Sequence, residues 1–102
     1  GYRTGAFTAR EVVQAYLDRI EQLDRSGPAL NSIISVSETA LAEADALDAA
    51  LKSSGELMGA LHGVPIVVKD QIETAGLRTT FGSAAAADYV PAADAAAIAR
   101  LR

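Results

Sequence analysis

LHGVPIVVKDQIETAGLRTTFGS, residues Leu61 to Ser83, decides how the rest of the chain is read. The unbroken apolar run Val64-Pro65-Ile66-Val67-Val68 ends on Lys69, and an acid, Asp70, follows directly. A short apolar run behind a glycine reads as a buried strand, with cover on both faces. Pro65 is tolerated near the start of such a strand. Lys69 and Asp70 then fall at its C-terminal end, where α/β sheets gather their active sites. A turn, Glu73-Thr74-Ala75-Gly76, leads to a second small-residue segment, Thr79-Thr80-Phe81-Gly82-Ser83.

Lys69 is the candidate functional residue. The chain has two lysines, Lys52 and Lys69. Lys52 closes an expected helix, where a cation complements the dipole. Lys69 has no such place. The expectation is that it turns inward. A buried lysine is costly unless it is paired or loses its proton, and a neutral amine is a competent general base. The competing reading is an ion pair with a carboxylate elsewhere, and spacing alone leaves both open. Asp70 is expected to hold the loop by pairing with backbone or with an arginine.

The other polar residues of this stretch read as structural. His62 is the single histidine. Nothing in the sequence pairs it with a nucleophile, so a packing or backbone hydrogen-bonding role is expected. Ser83 lacks the G-x-S-x-G context of a nucleophile. Gly63, Gly76 and Gly82 do not make a phosphate-binding fingerprint.

Outward from this stretch the pattern is helical. Thr8-Ala9-Arg10-Glu11 fits a capping box. Val12, Val13, Tyr16, Leu17, Ile20 and Leu23 then form an apolar stripe over about Ala9 to Asp24. Glu21 and Arg25 are an i,i+4 pair, and Ser26-Gly27-Pro28 ends the helix. Leu30 to Val36 is expected to be a strand. Ser37 is expected to cap a second, alanine-rich helix from about Glu38 to Lys52. Its acids Glu43, Asp45 and Asp48 read as a solvated face rather than a metal site. Asp94 is expected to cap a last helix, Ala95 to Arg102.

Composition bounds the function classes. The chain has 102 residues, half of them apolar, and much of that half is alanine, which buries little area. A single domain without an internal boundary is expected, with a thin core. The net charge of −4 and the lack of any Lys/Arg cluster argue against direct nucleic-acid contact. No cysteine is present, so there is no disulfide framework and no thiolate metal site. No apolar run approaches the roughly 20 residues that span a bilayer. A cytoplasmic protein without membrane contact is the expectation. The chain opens on Gly1 and stops within a helical pattern, which reads as a piece of a longer chain.

These motifs resemble the N-terminal part of the amidase signature family. The resemblance rests on Leu61-His62-Gly63-Val64-Pro65-Ile66-Val67-Val68-Lys69-Asp70-Gln71-Ile72 and on Thr79-Thr80-Phe81-Gly82-Ser83. The first helix, the Leu30–Val36 segment and the Asp88-Tyr89-Val90-Pro91 approach to the last helix are similar as well, so the resemblance covers almost the whole chain. It implies an α/β fold, a mixed β-sheet flanked by helices, of which this chain is the N-terminal fragment. It implies amide-bond hydrolysis by a Ser–cis-Ser–Lys triad, with a small-molecule amide as substrate and neither metal nor organic cofactor. Lys69 matches the family's catalytic lysine. The two serines belong to a downstream Gly/Ser-rich stretch that this sequence does not contain, so the chain alone is expected to be inactive.

Two other readings stand beside the general amidase. One is the component that releases ammonia from glutamine in a tRNA-dependent amidotransferase; Gln71 tilts slightly toward the general amidases. The other is a non-catalytic α/β interaction module. If the chain is a fragment, its strand Val64–Val68 lacks neighbours. That predicts poor solubility, or a homodimer or larger oligomer, for the isolated chain.

Overall fold

The computed structural model describes residues 1–102, and its contacts cluster into two compact units. The first comprises Gly1–Ile33 and Glu38–Pro65. The second comprises Ile34–Ser37 and Ile66–Arg102.

The first unit is built on two helices, α1 (Ala9–Arg19) and α2 (Ala40–Ser54). The expected capping box opens α1: the Thr8 side chain accepts from the Glu11 amide at 3.1 Å, and the Thr8 amide donates to Glu11 Oε2 at 2.8 Å. Two further orphan amides of the helix start, Ala9 and Arg10, donate to Asp48 Oδ1 and Oδ2 at 2.7 and 3.0 Å. Asp48 lies on α2, so one helix caps the other. Arg10 also pairs with Asp45. The helices approach on alanine: Ala9 is 0% and Ala44 2% exposed, and Val13 completes the buried cluster. Tyr2, Leu17, Leu41 and Leu47 pack around it. The acids of α2 thus have separate tasks. Asp45 and Asp48 hold α1, and Glu43 accepts from the Thr39 hydroxyl at 2.7 Å.

After Arg19 the chain stays helical but widens into a π-helical segment, Ile20–Arg25. Its end decides the fate of the next residues. Leu30 and Asn31 donate to the carbonyls of Leu23 and Asp24. The Asp24 carboxylate accepts from the Ser32 amide and hydroxyl, both at 2.6 Å, and from the Ile33 amide at 3.2 Å. Asp24 is 4% exposed, and the Ser32 hydroxyl first, then the Ser32 and Ile33 amides, hold its carboxyl below the usual range against the opposing push of burial. Arg25 lies 4.0 Å from Asp24 rather than pairing with Glu21.

The expected strand Leu30–Val36 is therefore absent. Ala29 and Asn31 sit at φ 50° and 51°, in the left-handed region. A left-handed residue cannot continue a pleated ladder, and the amides that would build one are used on the helix end. The expected strand Val64–Val68 is absent too. Val64 donates back to the Leu61 carbonyl in a turn, and no segment of the chain pairs with residues 65–68. Val67 is 79% exposed, so the two-sided cover that its apolarity predicts is not provided by these residues. No mixed β-sheet forms in this chain. A strand is a pairing, and apolar composition alone does not supply the partner.

In the second unit, residues 73–79 and 89–95 run antiparallel. They share three isolated backbone bonds, Gly76 to Pro91, Thr79 to Tyr89 and Ala95 to Glu73, too sparse for a ladder. Thr74, Thr79, Pro91 and Ile98 are buried here. The last helix, α3 (Ala96–Leu101), has Ala95 rather than Asp94 at its cap. Asp94 instead accepts from the Ala75 amide at 2.7 Å and pairs with Arg102 at 3.1 Å. Thr39, not Ser37, stands at the N-cap position of α2, without a side-chain capping bond. No helix is long and apolar enough to cross a membrane.

Two consequences are measurable. Thr8→Ala and Asp48→Ala each remove a cap from α1 and are expected to cost about 1 kcal/mol, read from urea unfolding. Asp24 has a lowered folded-state pKa, so its stabilisation is present at neutral pH and is lost as pH falls below the ordinary carboxylate value of about 4. Acid melts of wild type and Asp24→Asn are expected to converge as pH drops. A pH-independent gap between them would contradict this.

Candidate functional site

Lys69 lines a shallow pocket of about 240 Å³ in the second unit, together with Ile34, Asp70, Gln71, Phe81 and Gly82. The pocket is made by two reverse turns. In the first, the Ile72 amide donates to the Lys69 carbonyl at 2.9 Å. In the second, the Ser83 amide donates to the Thr80 carbonyl at 2.8 Å. Phe81 and Gly82 in the middle of that turn have φ 54° and 67°, the signs of a type I′ turn. Glycine accepts this readily. Phenylalanine does not, so the turn stores strain at Phe81.

Asp70 ties the turns together. Its Oδ1 accepts from the Thr80 amide at 2.9 Å. Its Oδ2 accepts from the Thr80 hydroxyl at 2.6 Å and the Gly82 amide at 3.1 Å. The Thr80 hydroxyl first, then its amide, hold the Asp70 carboxyl below the usual range, against a smaller push upward from burial. Of the two partners expected for Asp70, backbone or arginine, it takes backbone, with a threonine hydroxyl added.

Lys69 itself differs from expectation. It is exposed rather than turned into an interior. Neither does it join an ion pair with a carboxylate elsewhere, the competing expectation. What these residues build is a lysine on the wall of an open pocket.

The aromatic pair beside the pocket was not legible in the sequence. Phe81 stacks on Tyr89, with ring centroids 6.2 Å apart and planes at 24°. The Tyr89 hydroxyl donates to Glu73 at 2.6 Å, and this bond is the main reason its pKa is raised. Eight residues separate the rings and 16 separate the tyrosine from its acceptor. No local pattern announces either contact.

His62 and Ser83 have structural roles, as their contexts suggest. His62 belongs to the first unit and is 6% exposed. Its Nδ1 accepts from the Met58 amide at 3.1 Å, and its ring meets Tyr2 edge-on at 5.6 Å. Its Nε2 is buried without a partner. Gly63 beside it has φ 69°, and a Cβ there would lie 2.8 Å from Ala9 Cβ. Only glycine meets both conditions. The Tyr2 hydroxyl donates to its carbonyl at 2.7 Å. Ser83 accepts from the Ala85 amide and caps the short 3₁₀ turn Ala84–Ala86.

Comparison with known proteins returns one family. The family model described as Amidase matches residues 11–102. A glutamyl-tRNA(Gln) amidotransferase subunit from Alkaliphilus metalliredigens is 42% identical over 100% of this chain and 20% of its own length. Its counterpart from Chromohalobacter salexigens is 45% identical with the same coverage. Among solved structures, native peptide amidase from Stenotrophomonas maltophilia superposes with a TM-score of 0.91 at 40% identity, over 98% of this chain and 20% of that one. The chain spans about a fifth of the length of these relatives.

The clamp on the second turn has a direct readout. Asp70→Ala removes the acceptor of the Thr80 amide and one of the two acceptors of the Gly82 amide. Their hydrogen exchange is expected to rise at least about tenfold, one broken bond to a charged group being worth about 1.5 kcal/mol or more. Unchanged protection at both amides would show that Asp70 does not hold the turn.

Proposed function

Starting from the fact that this chain belongs to the amidase family, we propose that it is the lysine-bearing part of an enzyme that hydrolyses amide bonds, with Lys69 as catalytic base. The observation that carries the reading is Lys69, unpaired, on the wall of a pocket whose other side is the turn held by Asp70.

The chemistry follows from the Ser–cis-Ser–Lys arrangement that the lysine motif implies. A neutral Lys69 amine accepts, through the bridging serine, the proton of the nucleophilic serine. The serine oxygen attacks the amide carbonyl carbon and the C–N bond breaks. The proton passes back to the departing amine, and water then releases the acid from the acyl-serine. Both serines come from sequence outside this chain, and so does the cover that turns the open pocket into a desolvated one. In this reading the 102 residues form part of a single domain of a cytoplasmic enzyme, and the segment itself contacts no nucleic acid. The substrate is a small carboxamide or acyl amide.

A second reading has its own support. Relatives named as glutamyl-tRNA(Gln) amidotransferase subunits match the whole chain. The same lysine would then serve to release ammonia from glutamine. Assays of the full-length protein on simple carboxamides and on glutamine, with and without partner proteins, separate the two.

The central test uses Lys69→Ala in the full-length enzyme. Turnover is expected to fall at least about 10³-fold, within the range general bases supply. The isolated chain is expected to show none. Turnover by that chain, surviving purification and lost on Lys69→Ala, would overturn the assignment of the serines to sequence outside it.

A further inference from the structure

We propose that Asp70 is the positioning residue of this site, a role that rests on the reading of Lys69 as base. The Asp70 carboxylate fixes where the Lys69 turn stands relative to the Thr80–Ser83 turn, and so fixes the pocket in which the amine works.

Three features of the geometry carry this. First, Asp70 is the second residue of the turn that Lys69 begins, since the Ile72 amide closes onto the Lys69 carbonyl. Any force on the Asp70 side chain therefore acts one peptide unit from the Lys69 backbone. Second, its acceptor capacity goes to the other turn. The Thr80 amide, the Thr80 hydroxyl and the Gly82 amide converge on its two oxygens at 2.9, 2.6 and 3.1 Å. These are the bonds that join the two turns. Third, the turn it holds is strained despite its own bonds, from the Ser83 amide to the Thr80 carbonyl and from the Gly82 amide to the Thr80 hydroxyl. Phe81 at φ 54° is strained, and the bonds to Asp70 are made by the residues on either side of it. Without the carboxylate, the Thr80 hydroxyl and two amides lose an acceptor and Phe81 is free to relax.

Lys69, Phe81 and Gly82 all line the pocket, so relaxation of the second turn changes the pocket that Lys69 shares. The Asp70 oxygens are engaged by the second turn. Its contribution is geometric. A displacement of about 1 Å at a catalytic group is enough to cost on the order of 10²-fold in rate. A carboxylate suits this place better than an amide side chain. Both its oxygens accept, and an asparagine offers one acceptor and an NH₂ that would face the amide or hydroxyl donors.

The experiment compares Asp70→Ala, Asp70→Asn and Thr80→Val with Lys69→Ala, all in the full-length enzyme on one carboxamide substrate, with thermal melts alongside. Asp70→Ala is expected to lower kcat about 10- to 100-fold with KM within about threefold, the pattern of a lost transition-state arrangement. Asp70→Asn is expected to recover part of that loss, since one oxygen still accepts. Thr80→Val, which removes the hydroxyl and spares the backbone, is expected to lower kcat about three- to tenfold. It remains informative should Asp70→Ala fail to fold. Wild-type kcat in Asp70→Asn and Thr80→Val while Lys69→Ala is inactive would overturn the positioning role alone. So would kcat losses that match only the loss of folded protein. Activity of Lys69→Ala within about tenfold of wild type would overturn the catalytic lysine itself, and this inference with it.

Discussion

A backbone N–H taken from water must find an acceptor, and in a chain without a sheet the ladder cannot supply one. Here aspartate carboxylates take its place. Asp48 accepts the first two amides of α1, and Asp24 accepts those of Ser32 and Ile33. Asp70 accepts from Thr80 and Gly82, and Asp94 accepts from Ala75. Each carboxylate fastens a segment distant in sequence, by 8 to 39 residues. The apolar core could not do this alone. Its buried members in the first unit are Ala9, Val13 and Ala44, which together offer little surface. Alanine lets the helices come close, and the carboxylate at the edge of that contact fixes where they stop.

The same device explains the site. Lys69 is exposed and has no partner to place it. Its position is inherited from the turn it begins, which is held through Asp70. The strained Phe81, with the Tyr89 ring stacked on it, forms part of the wall. Strain at a turn beside a candidate base is the kind of local cost that persists when the surrounding bonds over-determine it.

Sequence is most legible here where structure is local. The capping box of α1 needs only Thr8 and Glu11, three residues apart, and it is formed. Both long helices follow from apolar and alanine periodicity, with ends displaced by a few residues. The strands failed for a shared reason. Leu30–Val36 and Val64–Val68 have β-branched, apolar composition, but composition does not create a neighbour. At Leu30 to Ile33 the amides turn to the end of the π-helical segment and to Asp24. At residues 65–68 no partner exists within the chain. The expected cap at Asp94 failed on the same ground. It has the composition of an N-cap, yet an amide 19 residues away claims it.

The helices, the punctuation between them and the motif around Lys69 are readable from the amino acids, because each depends on residues a few positions apart. Family membership is readable too, through the long pattern from Leu61 to Ile72 and the Thr79–Ser83 segment. Which carboxylate meets which amide is settled in three dimensions. There Asp70 closes on Thr80 and Gly82, Phe81 is held at positive φ, and Lys69 faces an open pocket. Those outcomes depend on how separated turns meet in space, and hydrogen bonds across such distances leave no period in the sequence to read.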